Sequence, residues 1–250
     1  MLIAVLSLSA CQSSEEKAED HYQSALRLLA ANDEDRAIVE FRNVFQLNGF
    51  HKQARQDYAA LMLKRGQVND AYGQYLRLIE QYPDTLDARQ TLAELAVGRN
   101  DWDEVARHGE AAIALAPDDP RNKTIATILA YQKAVVARDG EATKAVVDNA
   151  RSLLRTRPDD MILRRIVLDS LVSSGDATAA LAEVDRLLEQ TPDSLEFNGV
   201  RLRLLNELGD QPGVGKQLRR LLALTPDSKD LQRATLQWHM SQKDMDGAEA

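Results

Sequence analysis

The sequence predicts an all-α protein, an α-solenoid of stacked helical hairpins, on three observations. Pro83, Pro117, Pro158, Pro192 and Pro226 recur at spacings of 34, 41, 34 and 34 residues, and a fixed period of that length marks a repeat architecture. Aromatic residues make up only 5% of the chain, charged residues 28% and hydrophobic residues 44%, a balance that favours helices able to bury a core over strands or disorder. Small residues recur in phase with the prolines: Ala25, Ala59 and Ala93 in one set, Ala37 and Ala71 in another. Side chains of that size let paired helices approach closely.

Met1–Ala10 reads MLIAVLSLSA, an apolar run ending at the only cysteine, Cys11. A bilayer-spanning helix needs about 20 apolar residues, so the run fits the apolar part of a signal peptide instead. Leu8-Ser9-Ala10-Cys11 resembles the lipobox of bacterial lipoprotein precursors. The resemblance implies that residues 1–11 are a signal peptide and lipobox, with a lipid on Cys11. No basic residue precedes the apolar run, which points to a precursor whose start is clipped or misplaced. Gln12 follows the cysteine where an Asp would imply inner-membrane retention, so the expected location is the periplasmic face of the outer membrane. Residues 12–17 form a polar tether.

From residue 18 onward each element follows from the period. Each proline ends one helix, which it cannot continue, and is followed by Asp at 84, 118, 159, 193 and 227; these acids are expected to cap the next helix and complement its positive end. Phe41 and Tyr75 lie four residues after Ala37 and Ala71, on the same helix face. Asn32-Asp33, Arg65-Gly66, Gly98-Arg99-Asn100, Asp139-Gly140, Ser174-Gly175-Asp176 and Gly209-Asp210 supply helix-stop chemistry between paired helices. The pattern of small residue, small residue, aromatic and proline resembles the tetratricopeptide repeat. That likeness implies a right-handed superhelix with repeats at 18–51, 52–85, 86–119, 120–160, 161–194 and 195–228, and a partial one at 229–250. The fourth repeat has seven residues more than the others, expected as lengthened helices through Ala134 to Ala145. No polar capping helix closes the array before Ala250, which is expected of a fragment of a longer protein or of an end that frays or pairs with another subunit.

In tetratricopeptide proteins the first helices line a concave, partner-binding groove. Carried onto this sequence, those positions include Tyr22, Leu26, Gln56, Gln90, Arg165, Asp169, Arg203, Asn206 and Arg233. The Lys and Asn that cytosolic co-chaperones of the family use to hold a terminal carboxylate are replaced here by Tyr22 and Leu26. The three arginines are expected either to favour an acidic partner segment or to pair with neighbouring Asp and Glu.

Nothing in the chain reads as catalytic. His21, His51, His108 and His239 are scattered over separate repeats as surface or groove residues, without metal-ligand spacing. Gly213-Val214-Gly215-Lys216-Gln217 lacks the flanking residues of a phosphate loop, Ser14-Glu15-Glu16-Lys17 lacks the companion motifs of penicillin-recognising enzymes, and Asp244 to Gly247 lacks a closing Glu for calcium. Trp102 and Trp238 are expected as core wedges. A net charge of −8 without a basic cluster argues against nucleic acid. No enzyme activity, cofactor, metal or small-molecule substrate is expected; the partners are proteins, and the membrane is reached through the lipid. The lipobox, the tether and the segment from Arg36 to Leu47 resemble tetratricopeptide lipoproteins of exopolysaccharide export and PEP-CTERM-type envelope sorting. Assembly factors for outer-membrane barrels, secretin pilotins and a soluble cytosolic adaptor are the alternative roles.

Overall fold

The computed structural model describes residues 12–242; Cys11 and the apolar run before it lie outside them. The described residues form α1 (Ser14–Ala30), α2 (Glu34–Leu47), α3 (Lys52–Lys64), α4 (Val68–Gln81), α5 (Leu86–Gly98), α6 (Trp102–Leu115), α7 (Pro120–Ala137), α8 (Gly140–Leu154), α9 (Met161–Ser174), α10 (Ala177–Gln190), α11 (Leu195–Glu207), α12 (Gln211–Leu224) and α13 (Lys229–Ser241), with no strand among them. Odd-numbered helices are the first of each hairpin and even-numbered ones the second. The chain forms two compact units, one ending at Ala126 and one beginning at Thr127.

Turn chemistry sets the hairpins. Asn32, Gly66, Asn100, Arg138, Gly175 and Gly209, one per hairpin turn, all adopt positive φ, the left-handed geometry that lets a helix stop and the chain reverse. Asp33, Asp101, Asp139, Asp176 and Asp210 follow directly and accept backbone N–H bonds at the start of α2, α6, α8, α10 and α12, satisfying donors that the helix leaves open.

The acids after the prolines play a different part from the one expected. The first helices are capped one residue later: Asp119, Asp160, Ser194 and Ser228 accept the N–H bonds of α7, α9, α11 and α13. Proline and the Asp after it fill the turn, and the next residue takes the extended backbone that a cap requires. The extra residues of the fourth hairpin are also distributed unevenly. α7 runs 18 residues where α3, α5 and α11 run 13, and the rest mainly lengthens the connection 155–160.

In the first unit Ala25, Ala37, Ala59, Ala71 and Ala93 are fully buried, as are Phe41 and Leu78, and Tyr22, Tyr58 and Tyr75 are nearly so. Tyr22, Phe41 and Tyr58 form an aromatic chain with ring centroids 6.5 and 5.6 Å apart, and Phe45 meets Tyr58 edge-on at 5.6 Å. This stack fills the space that the alanines open between helices. In the second unit Leu168, Ala180, Val184, Leu187 and Leu204 form one core and Leu205, Val214 and Leu218 the next, against which Trp238 packs. Within each unit, neighbouring hairpins thus complete one another's cores.

Candidate partner-binding groove

In the first unit, polar side chains on the first helices bond to one another about one repeat apart. His51 meets Glu19 at 3.1 Å, the Tyr22 hydroxyl donates to Asp57 at 2.7 Å, and Gln56 reaches Asp87 at 3.5 Å. Gln90 donates to Asp119 at 2.7 Å and to Asn122 at 3.0 Å. Arg121 bridges Asp87 at 2.7 Å and holds both oxygens of Glu94 at 2.8 and 2.9 Å. These bonds tie successive first helices together, so the residues expected to meet a partner are largely satisfied within the fold. Tyr22 is buried with its hydroxyl on a carboxylate; burial first, and Asp57 second, push its pKa well above the ordinary tyrosine value. Leu26 is half-buried and packs against the apolar core, and Gln90 is buried.

The second unit is arranged differently. Arg165 is committed to Glu196 at 2.9 Å, and exposed Arg233 lies 3.5 Å from Asp230 on its own helix. Asp169 is open to water but crowded by protein on its inner side; desolvation, against the pull of Arg165, raises its carboxyl above the usual range. Arg203 alone of the three expected arginines makes no side-chain hydrogen bond or ion pair among the described residues. It lines a recess of about 460 Å³ together with Leu202, Asn206, Gln211, Gln237 and Trp238. Its lining comes from α11, α12 and α13. The Trp238 indole N–H donates to the Gln211 carbonyl at 3.2 Å, which fixes the ring against α12.

The structure therefore brings Arg203 and Asn206 together in one recess; Tyr22, Gln56, Gln90 and Arg165 are paired with neighbouring repeats, Leu26 packs on the core, Asp169 is open to water and Arg233 lies near Asp230 on its own helix. Asp57, Arg121 and Asn122 escaped sequence inspection. A signal was present, because Arg121 stands 34 residues after Asp87, in phase and of opposite charge.

The remaining candidates are placed plainly. His108, expected at a surface or groove, is 1% exposed and bonds Glu104 one turn earlier at 2.9 Å. His21 pairs with Glu40 at 2.5 Å, and His51 caps α3 while its ring meets Tyr22 at 4.8 Å. Gly213 and Gly215 belong to α12. Among the described residues no group of three or more His, Cys, Asp or Glu could hold a metal ion, and no helix is long and apolar enough to cross a membrane.

No protein-family profile matches the chain, and no curated protein matches it. Solved structures do. The fold is that of tetratricopeptide-repeat proteins. A tetratricopeptide repeat protein from Parabacteroides merdae superposes with a TM-score of 0.57 at 10% identity, over 93% of this chain and 90% of that one. Pseudomonas aeruginosa PilF gives 0.55 at 14% identity, over 90% of this chain and 99% of the other. PilW, a widely conserved type IV pilus biogenesis factor, gives 0.55 at 14%, over 87% and 97%.

Proposed function

We propose that this protein is a non-enzymatic scaffold, tethered to the periplasmic face of the outer membrane by a lipid on Cys11, that captures a partner polypeptide for an envelope export or assembly machine. The observation that carries the partner-capture part is the Arg203 recess. A guanidinium unpaired among the described residues, that of Arg203, and Asn206, Gln211, Gln237 and Trp238 line it, a combination suited to an apolar side chain next to an acidic or backbone acceptor. The likeness to PilF and PilW over nearly their whole length supports an assembly role like pilus biogenesis. Exopolysaccharide export and envelope protein sorting are served by the same architecture.

Two measurements test this. Mass spectrometry of Cys11 in cells with and without globomycin reports the tether, and a lipidated cysteine is expected. An unmodified thiol on a soluble protein removes the membrane role and leaves a soluble adaptor. Cross-linking in intact envelopes, followed by capture of the wild-type chain and of Arg203→Ala, reports the partner. Loss of the major cross-linked species in the variant is expected; an identical set of species in both sinks partner capture at this recess.

A further inference from the structure

We propose that the second unit carries a separate cationic recess, formed by α7, α8 and α9, that holds an acidic segment of a partner polypeptide. This rests on the partner-capture reading above and assigns to the same function a second contact point. The recess encloses about 530 Å³ and is lined by Tyr131 and Val135 of α7, Arg138 of the turn, Lys144 and Val147 of α8, and Ser170 of α9. Lys144, Asp148 and Arg151 lie on the same face of α8 and all line it. Arg138 and Lys144 make no side-chain hydrogen bond or ion pair among the described residues, whereas Arg151 is 3.3 Å from the exposed Asp148. Three cations therefore face one carboxylate, in a chain whose net charge is −8. The charge of the lining is opposite in sign to the net charge of the chain, and ligand carboxylates complement it, although Asp169 also acts on Tyr131.

Arg138 supplies an independent observation. Its counterparts at the other hairpin turns are Gly or Asn, residues at ease with positive φ, yet Arg138 stands at φ 54° and lines the recess. A long charged residue in that conformation adds nothing to the turn. The recess also occurs at the hairpin whose first helix is lengthened, which carries Val135, 45% exposed, to its wall. Tyr131, Val135 and Val147 add apolar lining beside the cations, so the fitting ligand is an aliphatic side chain flanked by carboxylates. A free inorganic anion would leave that lining unused.

The test uses fluorescence anisotropy on the full chain with a labelled Gly-Glu-Leu-Glu-Glu-Gly peptide, its Gln-for-Glu counterpart, and inorganic phosphate as competitor. The acidic peptide is expected to bind about tenfold or more tighter than the neutral one. The double variant Arg138→Gly, Lys144→Gln is expected to lose that margin, while Lys133→Gln, Arg155→Gln, with equal charge removed elsewhere in the unit, retains it. Arg203→Ala, which probes the other recess, leaves this binding within about twofold. Melting curves confirm that each variant is folded. Equal binding of the two peptides, no peptide binding, displacement by phosphate at constant ionic strength, or an unchanged Arg138→Gly, Lys144→Gln variant would each overturn the inference. Envelope cross-links lost in Arg203→Ala but kept in this double variant would overturn it while leaving the scaffold role intact.

Discussion

Gly215 and Trp238 share one volume. A Cβ at position 215 would lie 2.3 Å from Cζ2 and 2.4 Å from Cη2 of the indole. Glycine inside a helix is less favourable than alanine by about 1 kcal/mol, and here the ring of the next helix explains it: α13 docks by laying Trp238 on bare backbone. Gly215→Ala gains helix propensity but overpacks the contact, an effect of about 1–3 kcal/mol. We expect a net loss of about 1 kcal/mol and a red shift of Trp238 emission. In a Trp238→Ala background the same substitution should instead stabilise. Chemical denaturation of the four proteins closes the cycle, and a Gly215→Ala protein more stable than wild type with unchanged emission would sink the account.

Arg138 is the turn residue least suited to its backbone, at φ 54°. The left-handed region disfavours residues with a Cβ by about 1–2 kcal/mol, part of which glycine gives back through its freer unfolded chain. Arg138→Gly is therefore expected to stabilise the protein by roughly 0.5 kcal/mol. Gly175→Ala and Gly209→Ala, at φ 75° and 72°, should destabilise it by about 1 kcal/mol each. Urea midpoints at constant m-value decide the matter, and a destabilised Arg138→Gly protein contradicts it.

The fold was legible because periodicity and turn chemistry are properties of single residues. Proline spacing, the alanines at which helices touch and the left-handed turn residues all announce themselves locally. Capping falls one residue later than expected, because Asp118 and Asp119, or Asp193 and Ser194, are equally good caps by composition, and only the geometry of the proline turn chooses between them. The groove was much less legible. Whether Arg165 faces a partner or Glu196 depends on a residue 31 positions away, and no local pattern reports such a pairing. His108 looked like any other isolated histidine because its burial is set by the neighbouring helices.

Asn122 is fully buried and fully used. Its amide donates to the carbonyls of Ala112 and Ala116, both at 2.7 Å, and its oxygen accepts from Gln90 at 3.0 Å. Each of these carbonyls, at the C-terminal end of α6, also accepts a backbone N–H, from Ala116 and Asp119 respectively, so the amide fills its second acceptor site. Asn122→Ala removes three hydrogen bonds and leaves a small void, so a loss of about 2–4 kcal/mol is expected. Asn198 repeats the device, donating to the carbonyls of Pro192 and Ser194 at 2.9 and 2.8 Å and accepting from Gln217 at 2.8 Å, so Asn198→Ala should be comparably costly. Thermal melts of both variants test the equivalence; a neutral substitution at either site would show that the carbonyls find water instead.

His108 should make stability depend on pH. Its Nε2 bonds Glu104 at 2.9 Å, and its Nδ1 is buried without a partner. A neutral ring that donates from Nε2 leaves Nδ1 as a bare acceptor; protonation would place an N–H there with nothing to receive it. Burial accordingly lowers the His108 pKa, against the opposing pull of Glu104. A histidine whose pKa is depressed by folding binds fewer protons in the folded state, so its contribution is present above the unfolded pKa of about 6.5 and is lost as pH falls below it. The wild-type melting temperature should fall more steeply than that of His108→Gln between about pH 6.5 and 5. Proton NMR of the ring should place its midpoint below the ordinary histidine value. A midpoint above it, or parallel melting profiles for the two proteins, would mean that the ring is charged in the fold and that Glu104 outweighs burial.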